Sequence, residues 1–314
     1  MHSNQPIHTA IVIYNPVSGR GKAKQYACKV KESLLKRGYD VKGVFSTQYA
    51  GHAQQKLVPQ WHEKIDLLVV VSGDGTLREV VSALVESCSS TCLGFVPLGN
   101  ANVVARELSI PIDCTEAIDV ILNNNVRLVD VGLFTTSNGG VRYFLAMLEV
   151  GRGAKIVHIA EQLRYGPLKT LYRWWGDLVY VIAGLISFQR DKPNSFDLVE
   201  DNRQLPGTFY GAVISSMATY SKGWSLCPDA QYDDGLLNVT ASHRKDLLTY
   251  ACQILAAKQK KRLQKSWIHT GTASFYEVTS DHDLYIQADG DGVVVSNTVS
   301  VEVVPRAFRI LTPK

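Results

Sequence analysis

The run Leu67-Leu-Val-Val-Val71 constrains this chain more than any other segment. It is wholly apolar and ends in three β-branched valines, the pattern of a strand buried on both faces of a parallel sheet. It leads into Ser72-Gly-Asp-Gly-Thr76 and a helical pattern from about Leu77 to Glu86. The same order of strand, glycine loop and helix occurs twice more. Ile11–Tyr14 leads into Asn15-Pro-Val-Ser-Gly-Arg-Gly21, then a helix from about Lys22 to Arg37. Tyr26, Val30 and Leu34 form the buried stripe of that helix, and Gly38 suits its C-terminal cap. Val41–Phe45 is a further strand, followed by a second helix. Leu93–Val96 leads into Pro97-Leu-Gly-Asn-Ala-Asn102 and a helix through Val104–Leu108. This alternation predicts an α/β fold whose N-terminal domain is a Rossmann-like parallel sheet.

Beyond Asp130 the texture changes. Val141–Val150, Phe196–Glu200, Phe209–Ser215, Leu236–Thr240, Ala273–Val278, Leu284–Ala288 and Val293–Val304 are short strand-like runs between polar turns. They predict a C-terminal β-rich domain, an antiparallel sandwich, interrupted by helices at about Pro167–Phe188 and Lys245–Ala257. The expected boundaries are residues 1–132 and 133–304, with the tail 305–314 returning to the first domain through Phe308–Thr312.

Composition narrows the class. The chain has 314 residues, 46% hydrophobic and 20% charged, which suits two globular domains and excludes disordered, collagenous and coiled-coil proteins. A net charge of +4 is too small to argue for nucleic acid. The six cysteines form no CxxC pair and read as reduced thiols. The longest uncharged apolar stretch, Leu178–Phe188, falls short of the ~20 residues of a membrane-spanning helix. The first residues lack the pattern of a signal peptide, so a cytoplasmic protein is expected.

In a parallel sheet the three glycine loops share the carboxyl edge, where open α/β folds bind ligands. Glycines let backbone N–H groups approach a phosphate, and each following helix aims its positive end at it. Asp74 would repel a phosphate unless it orients a water or metal ion or takes a proton, so its position argues for metal-dependent phosphate chemistry. Each loop alone would read as an ordinary turn; three in succession favour a nucleotide site. Neither GxxxxGK[ST] nor GxGxxG is intact, because no Ser or Thr follows Lys22 and Arg78 takes the third glycine position. HExxH and GxSxG patterns are absent, which removes zincins and serine hydrolases.

Taken together, NPVSG, GDGT running into LREVVSAL, and PLGNANVVARELSIP resemble the catalytic domain of the diacylglycerol kinase family of lipid kinases. Thr47 with Gly51-His52-Ala53, Val129-Asp130-Val131-Gly132, LCPDAQYDDGLLNV and QADGDG extend the resemblance over nearly the whole chain. It implies ATP- and Mg2+-dependent transfer of a γ-phosphoryl group to a lipid hydroxyl. The implied nucleotide contacts are Asn15, Ser18, Thr47, Ser72, Gly73, Asp74, Gly75, Thr76, Leu77, Arg78, Gly99 and Asn100. The family's late DGE motif, which carries the base, reads Asp289-Gly290-Asp291 here, with Asp291 one methylene shorter than the usual Glu. Asp291, Asp289 and Asp74 therefore all stand as candidate catalytic acids, while Asp-Gly is also an ordinary tight turn. The implied metal site falls on Gln231, Asp234 and Leu236, the first and last through backbone carbonyls.

Asn100 and Val103 depart from the family, whose members usually carry Thr and often Asp at those places. The segment GRGAKI also lacks the Phe-Asp of related stretches. Leu171-Tyr-Arg-Trp-Trp175, with Arg164, Lys169 and Arg173 nearby, suits either a peripheral contact with a membrane surface, where the lipid substrate would be met, or a core helix. The basic run from Lys258 to Lys265 reads as a solvated face. A kinase of a soluble substrate, such as an NAD kinase, and a non-catalytic binding protein are the rival classes. The identity of the lipid is not encoded in any motif, and the sequence leaves a homodimer open.

Overall fold

The computed structural model describes residues 9–165, 176–190 and 194–314, which fall into two compact units. The first unit runs up to Val131 and includes Pro305–Lys314; the second comprises Gly132–Tyr220 and Trp224–Val304. The aromatic segment 171–175 and Lys169 lie outside the described residues, as do the side chains of Arg164 and Asp291.

In the first unit the chain forms β1 (Thr9–Tyr14), α1 (Ala23–Lys36), β2 (Asp40–Ser46), a short irregular helix ending in α2 (Val58–Trp61), and β3 (Leu67–Ser72). It continues through α3 (Asp74–Glu86), β4 (Cys92–Pro97), α4 (Val103–Glu107), α5 (Cys114–Leu122) and into β5 (Val126–Thr136). The sheet order is β2-β1-β3-β4, all parallel. Arg309 and Ile310 add a further parallel contact on Cys92 and Leu93, so the tail belongs to this sheet. β1 lies between β2 and β3, so the chain leaves it to one side and later crosses to the other. Such a switch point opens a crevice between the loops that follow the two strands. All six residues of β3, and all six of β4, are buried, as the unbroken apolar runs require. Helix α5 starts where Asp113 accepts the Thr115 and Glu116 amides at 2.8 and 3.2 Å, an N-cap the sequence reading passed over.

The second unit holds β6 (Val141–Phe144), β7 (Met147–Gly151), α6 (Arg152–Tyr165), α7 (Gly176–Arg190), β8 (Asp197–Glu200), β9 (Arg203–Gln204) and β10 (Gly211–Ser215). It is completed by β11 (Leu237–Ser242), α8 (Leu247–Lys258), β12 (Ile268–Ala273), β13 (Phe275–Ala288) and β14 (Asp291–Leu311), whose end from Pro305 onward belongs to the first unit. Antiparallel pairing runs β12-β11-β10-β7-β13-β14. The register of β13 shifts between Thr279 and Leu284; its first part pairs with β8 and its last with β7. That irregularity lets one strand serve two partners and bends the sheet around a core of Phe196, Phe209, Tyr276, Ile286 and their neighbours.

Two expectations need correcting. The run 141–150 is two strands, because Leu145 and Ala146 leave the ladder to bond elsewhere, as described below. The first helical interruption was expected from about Pro167, yet the chain is already helical from Arg152 in α6, which packs Ile156 and Ala160 against Val179 and Ala183 of α7. Burial of that face outweighs the low helix propensity of one glycine.

Candidate functional site

β1, β3 and β4 end level, with Tyr14 opposite Val71 and Ser72 opposite Pro97, so three loops leave one sheet edge together. Hydrogen bonds then join the loops to each other. The Leu98 amide donates to the Ser72 carbonyl at 2.7 Å, and the Gly19 amide to the Leu98 carbonyl at 3.1 Å. Asn15 Nδ2 donates to Thr76 Oγ1 at 3.2 Å. Gly73 and Gly99 touch backbone to backbone: a Cβ on Gly99 would lie 2.8 Å from the Gly73 Cα. Any larger residue at either place would force the two loops apart.

Asn15, Thr47, Gly75, Thr76 and Glu79 line an open cleft with about 690 Å³ of empty space at this edge. Thr47 is held there by its amide, which donates to the Tyr14 carbonyl at 2.9 Å. Glu79 accepts the Gly51 and Ala53 amides at 2.7 and 3.2 Å, which fixes the loop beyond Thr47. Of the other expected nucleotide contacts, Ser18 opens a turn after β1, and Arg78 is half-buried on α3. Asn100 is exposed at the tip of its loop. Leu77 is fully buried in α3, so it could meet a ligand only through its backbone.

Asp74 is the first residue of α3, where the unpaired amides of a helix start favour a negative charge. Its Oδ1 accepts the Val104 amide at 3.4 Å, a long bond to the first turn of α4. The organiser of the third loop is Asn102, which the sequence reading did not single out. It is buried, adopts φ 47°, and accepts the Gly99 amide on Oδ1 at 2.8 Å. Asn tolerates the left-handed region better than most residues, and an Asn directly before a helix is the signal that could have revealed it.

Asp289 and Gly290 form the two-residue connection between β13 and β14, with Ala288 opposite Asp291. Both have positive φ, 51° and 83°, as a tight hairpin of this length prefers. The Asp289 carboxylate reaches back into its own unit, where it accepts the amides of Leu145, Ala146 and Met147 at 2.7, 2.8 and 3.1 Å. The Leu145 carbonyl in turn accepts Ser216 Oγ at 2.6 Å, and that of Ala146 accepts Ser215 Oγ at 2.9 Å. This is the bonding that parts β6 from β7.

Asp234 lies exposed in a turn, its Oδ1 accepting the Leu236 amide at 3.0 Å, and Gln231 is exposed nearby in sequence. Among the described residues no three His, Cys, Asp or Glu side chains gather as a metal cluster. Gln231, Asp234 and Leu236 thus offer one carboxylate and backbone oxygens, a set that suits a hard cation retaining most of its water.

One further group escaped the sequence reading. Glu149 on β7 is buried, and burial pushes its carboxyl up to about 7. It lines a second, small pocket together with Arg152, Tyr210, Ser242 and the inner face of α8. Arg152 stacks its guanidinium over Phe188 at 4.1 Å. Nothing in Leu-Glu-Val-Gly distinguishes a buried glutamate from one on a half-exposed strand; only the sheet order reveals it.

Two family models match this chain: the diacylglycerol kinase catalytic domain over residues 9–134, and the YegS C-terminal NAD kinase beta sandwich-like domain over residues 150–312. The chain belongs to the diacylglycerol kinase family. A curated relative, diacylglycerol kinase of Staphylococcus saprophyticus, is 27% identical over 285 residues, covering 90% of this chain and 88% of its own. Diacylglycerol kinase of Staphylococcus aureus (strain MRSA252) is 28% identical over 298 residues, covering 93% and 90%. Among solved structures, a candidate diacylglycerol kinase from Bacillus anthracis str. Sterne superposes with a TM-score of 0.78 at 19% identity, over 99% of both chains. A second from the same source gives 0.74 at 18% identity, over 99% of this chain and 98% of that one. At such identity the structural likeness speaks for the fold. Within this diacylglycerol kinase fold, Val103 is the first residue of α4, so this member presents an apolar side chain at a helix start next to Asp74.

Proposed function

We propose that this protein is an ATP-dependent lipid kinase that transfers the γ-phosphoryl group to a hydroxyl of a lipid such as diacylglycerol or a sphingoid base. The observation that carries the nucleotide half is the single sheet edge at which Asn15, Thr47, Gly73, Asp74, Thr76 and Gly99 come together beside an open cleft. Loop amides and the start of α3 would hold phosphate oxygens, since a helix N-terminus favours anions. Phosphoryl transfer is chiefly positioning and charge neutralisation, so little further machinery is needed. Mg2+ would arrive on the nucleotide and neutralise phosphate charge, with Asp74 as the carboxylate of these loops able to hold it. Gln231, Asp234 and Leu236 would hold a separate, structural cation.

The lipid half rests on the resemblance to curated diacylglycerol kinases along about nine-tenths of the chain. The acceptor hydroxyl must lose a proton as the new P–O bond forms and the bond to the β-phosphate oxygen breaks. Asp291, two residues beyond Asp289, or Asp74 would take that proton. Asp289 serves instead as a positioning residue, because its oxygens already accept three amides.

The test is an assay with labelled ATP, with and without EDTA, against a panel of dispersed lipids and against NAD. We expect Mg2+-dependent label in a lipid and none in NADP. Label in NADP would favour the soluble-substrate reading, and no labelled product in any condition would sink both.

A further inference from the structure

Helix α8 presents a solvent face that is almost entirely apolar. Its exposed residues are Leu247, Leu248, Ala251, Leu255 and the terminal Lys258, with the three leucines 45%, 70% and 57% exposed. Positions 248, 251 and 255 follow i, i+3, i+7 spacing and so form one stripe. Single exposed leucines are common on protein surfaces, but a water-facing stripe on one short helix is not. The helix contains no acidic residue.

Cations bracket this stripe. Arg244 and Lys245 precede it, and Lys258, Lys260, Lys261, Arg262 and Lys265 follow. The acids nearby are committed: Asp246 caps α8 and pairs with Arg244 at 2.9 Å, and Asp229 pairs with Arg262 at 3.3 Å. Among the described residues no carboxylate pairs with Lys260, Lys261 or Lys265. A half-buried tryptophan stands at each end, Trp267 under Arg244 at 5.9 Å and Trp224 under Lys258 at 4.7 Å.

We propose that α8 docks in the interface of an anionic bilayer, with Leu248, Ala251 and Leu255 among the acyl chains and the flanking lysines on lipid phosphates. An apolar ridge, a cationic rim and tryptophans at the boundary between them are what a phospholipid surface complements. A protein partner would need a matching groove, whereas a bilayer accepts a ridge. The inner face of the same helix, through Thr249, Tyr250, Gln253 and Ile254, lines the cavity that holds Glu149. Docking would therefore bring that cavity to the level of the headgroups. Binding through this surface requires no phosphoryl transfer.

The test is nucleotide-free sedimentation of the full chain with phosphatidylglycerol-containing vesicles and with pure phosphatidylcholine vesicles. Binding to the anionic vesicles is expected, weakening as ionic strength rises. Lys260→Gln with Lys261→Gln should weaken it about fivefold per lysine removed. Leu248→Ser with Leu255→Ser should weaken it by at least about tenfold, given the apolar area each leucine buries. Leu35→Ser, an exposed leucine on α1, should bind as wild type, and melting curves should show all variants folded. Equal binding to both vesicle types, or wild-type binding by both double variants, overturns the proposal. So does light scattering in which the leucine variant turns a dimer into a monomer while vesicle binding persists, since the face would then join two copies. If vesicles bind but no lipid is phosphorylated, the docking surface stands and the kinase reading falls.

Discussion

Asp74 in the parallel unit and Asp289 in the antiparallel unit sit in short glycine-bearing segments at strand ends, yet their surroundings are opposite. Asp74 meets the Val104 amide at a long 3.4 Å, while Asp289 accepts three amides between 2.7 and 3.1 Å. The difference follows from architecture. A loop after a parallel strand stands at an open edge, and its polar groups face whatever binds there. A two-residue hairpin lies against its own sheet, and here its side chain is drawn into bonding the chain between β6 and β7. An aspartate in a GDGT-type loop thus stands at the edge where a ligand would bind, whereas one in a tight hairpin is first a structural acceptor.

The sharpest way to break this contrast is to remove each carboxylate. Asp74→Asn should lower phosphoryl-transfer activity by about 10²–10⁴-fold, the range for a proton-transfer or charge-positioning group. Its stability should fall less than that of Asp289→Ala, since Asn keeps the size of the side chain and one acceptor oxygen. Asp289→Ala should lower stability by about 3 kcal/mol, because three amides lose a charged acceptor at once. In a unit of this size that corresponds to a fall in Tm of roughly 6–12 °C. Calorimetry beside initial-rate kinetics checks both variants. If Asp289→Ala melts like wild type but loses activity a hundredfold, Asp289 is the base and the contrast fails.

A second contrast sets the buried Glu149 against these two half-buried acids. Burial raises its carboxyl from the ordinary 4.5 to about 7, so the folded state binds the proton more tightly than the unfolded chain does. Its contribution to stability is fully present below about pH 4.5 and is lost as pH rises through about 7. Glu149→Gln removes that dependence. The variant should gain on wild type between pH 5 and pH 8 by on the order of 3 kcal/mol, read from urea midpoints at each pH. A constant difference across that range would mean that the carboxyl titrates as it does in the unfolded chain.

These contrasts also show what the sequence could reveal. The nucleotide edge was legible because its parts are local: Leu67–Ser72, Asp74 and α3 adjoin in the chain, and parallel pairing brings the loops after β1 and β4 to the same edge. Asp289-Gly290 was legible as a turn, but its three donors lie more than 140 residues earlier, and no spacing rule connects them. Glu149 and its cavity were hidden for the same reason, since β7, β10, β11 and α8 meet only through sheet order. Helix α6 was missed because its apolar face gains its meaning only from α7, which comes later in the chain. Asn102 illustrates a local signal overlooked, because a left-handed residue before a helix is a recognisable device.

The smallest expected effect tests whether the open edge is preorganised or shaped by its ligand. Glu79 holds the Gly51 and Ala53 amides, so it fixes the segment after Thr47 without itself belonging to a glycine loop. Glu79→Gln keeps an acceptor oxygen but gives up the charge, which should weaken those bonds by about 1 kcal/mol in total. If the edge is built in advance, that loss loosens the Thr47 side of the cleft, and KM for ATP should rise about fivefold with kcat little changed. If ATP itself orders the loop, the ordering cost is already borne at binding, and KM should stay within error of wild type. Only the first outcome preserves the contrast as one of partners alone, because an edge that needs its ligand to form would differ from the Asp289 hairpin in rigidity as well.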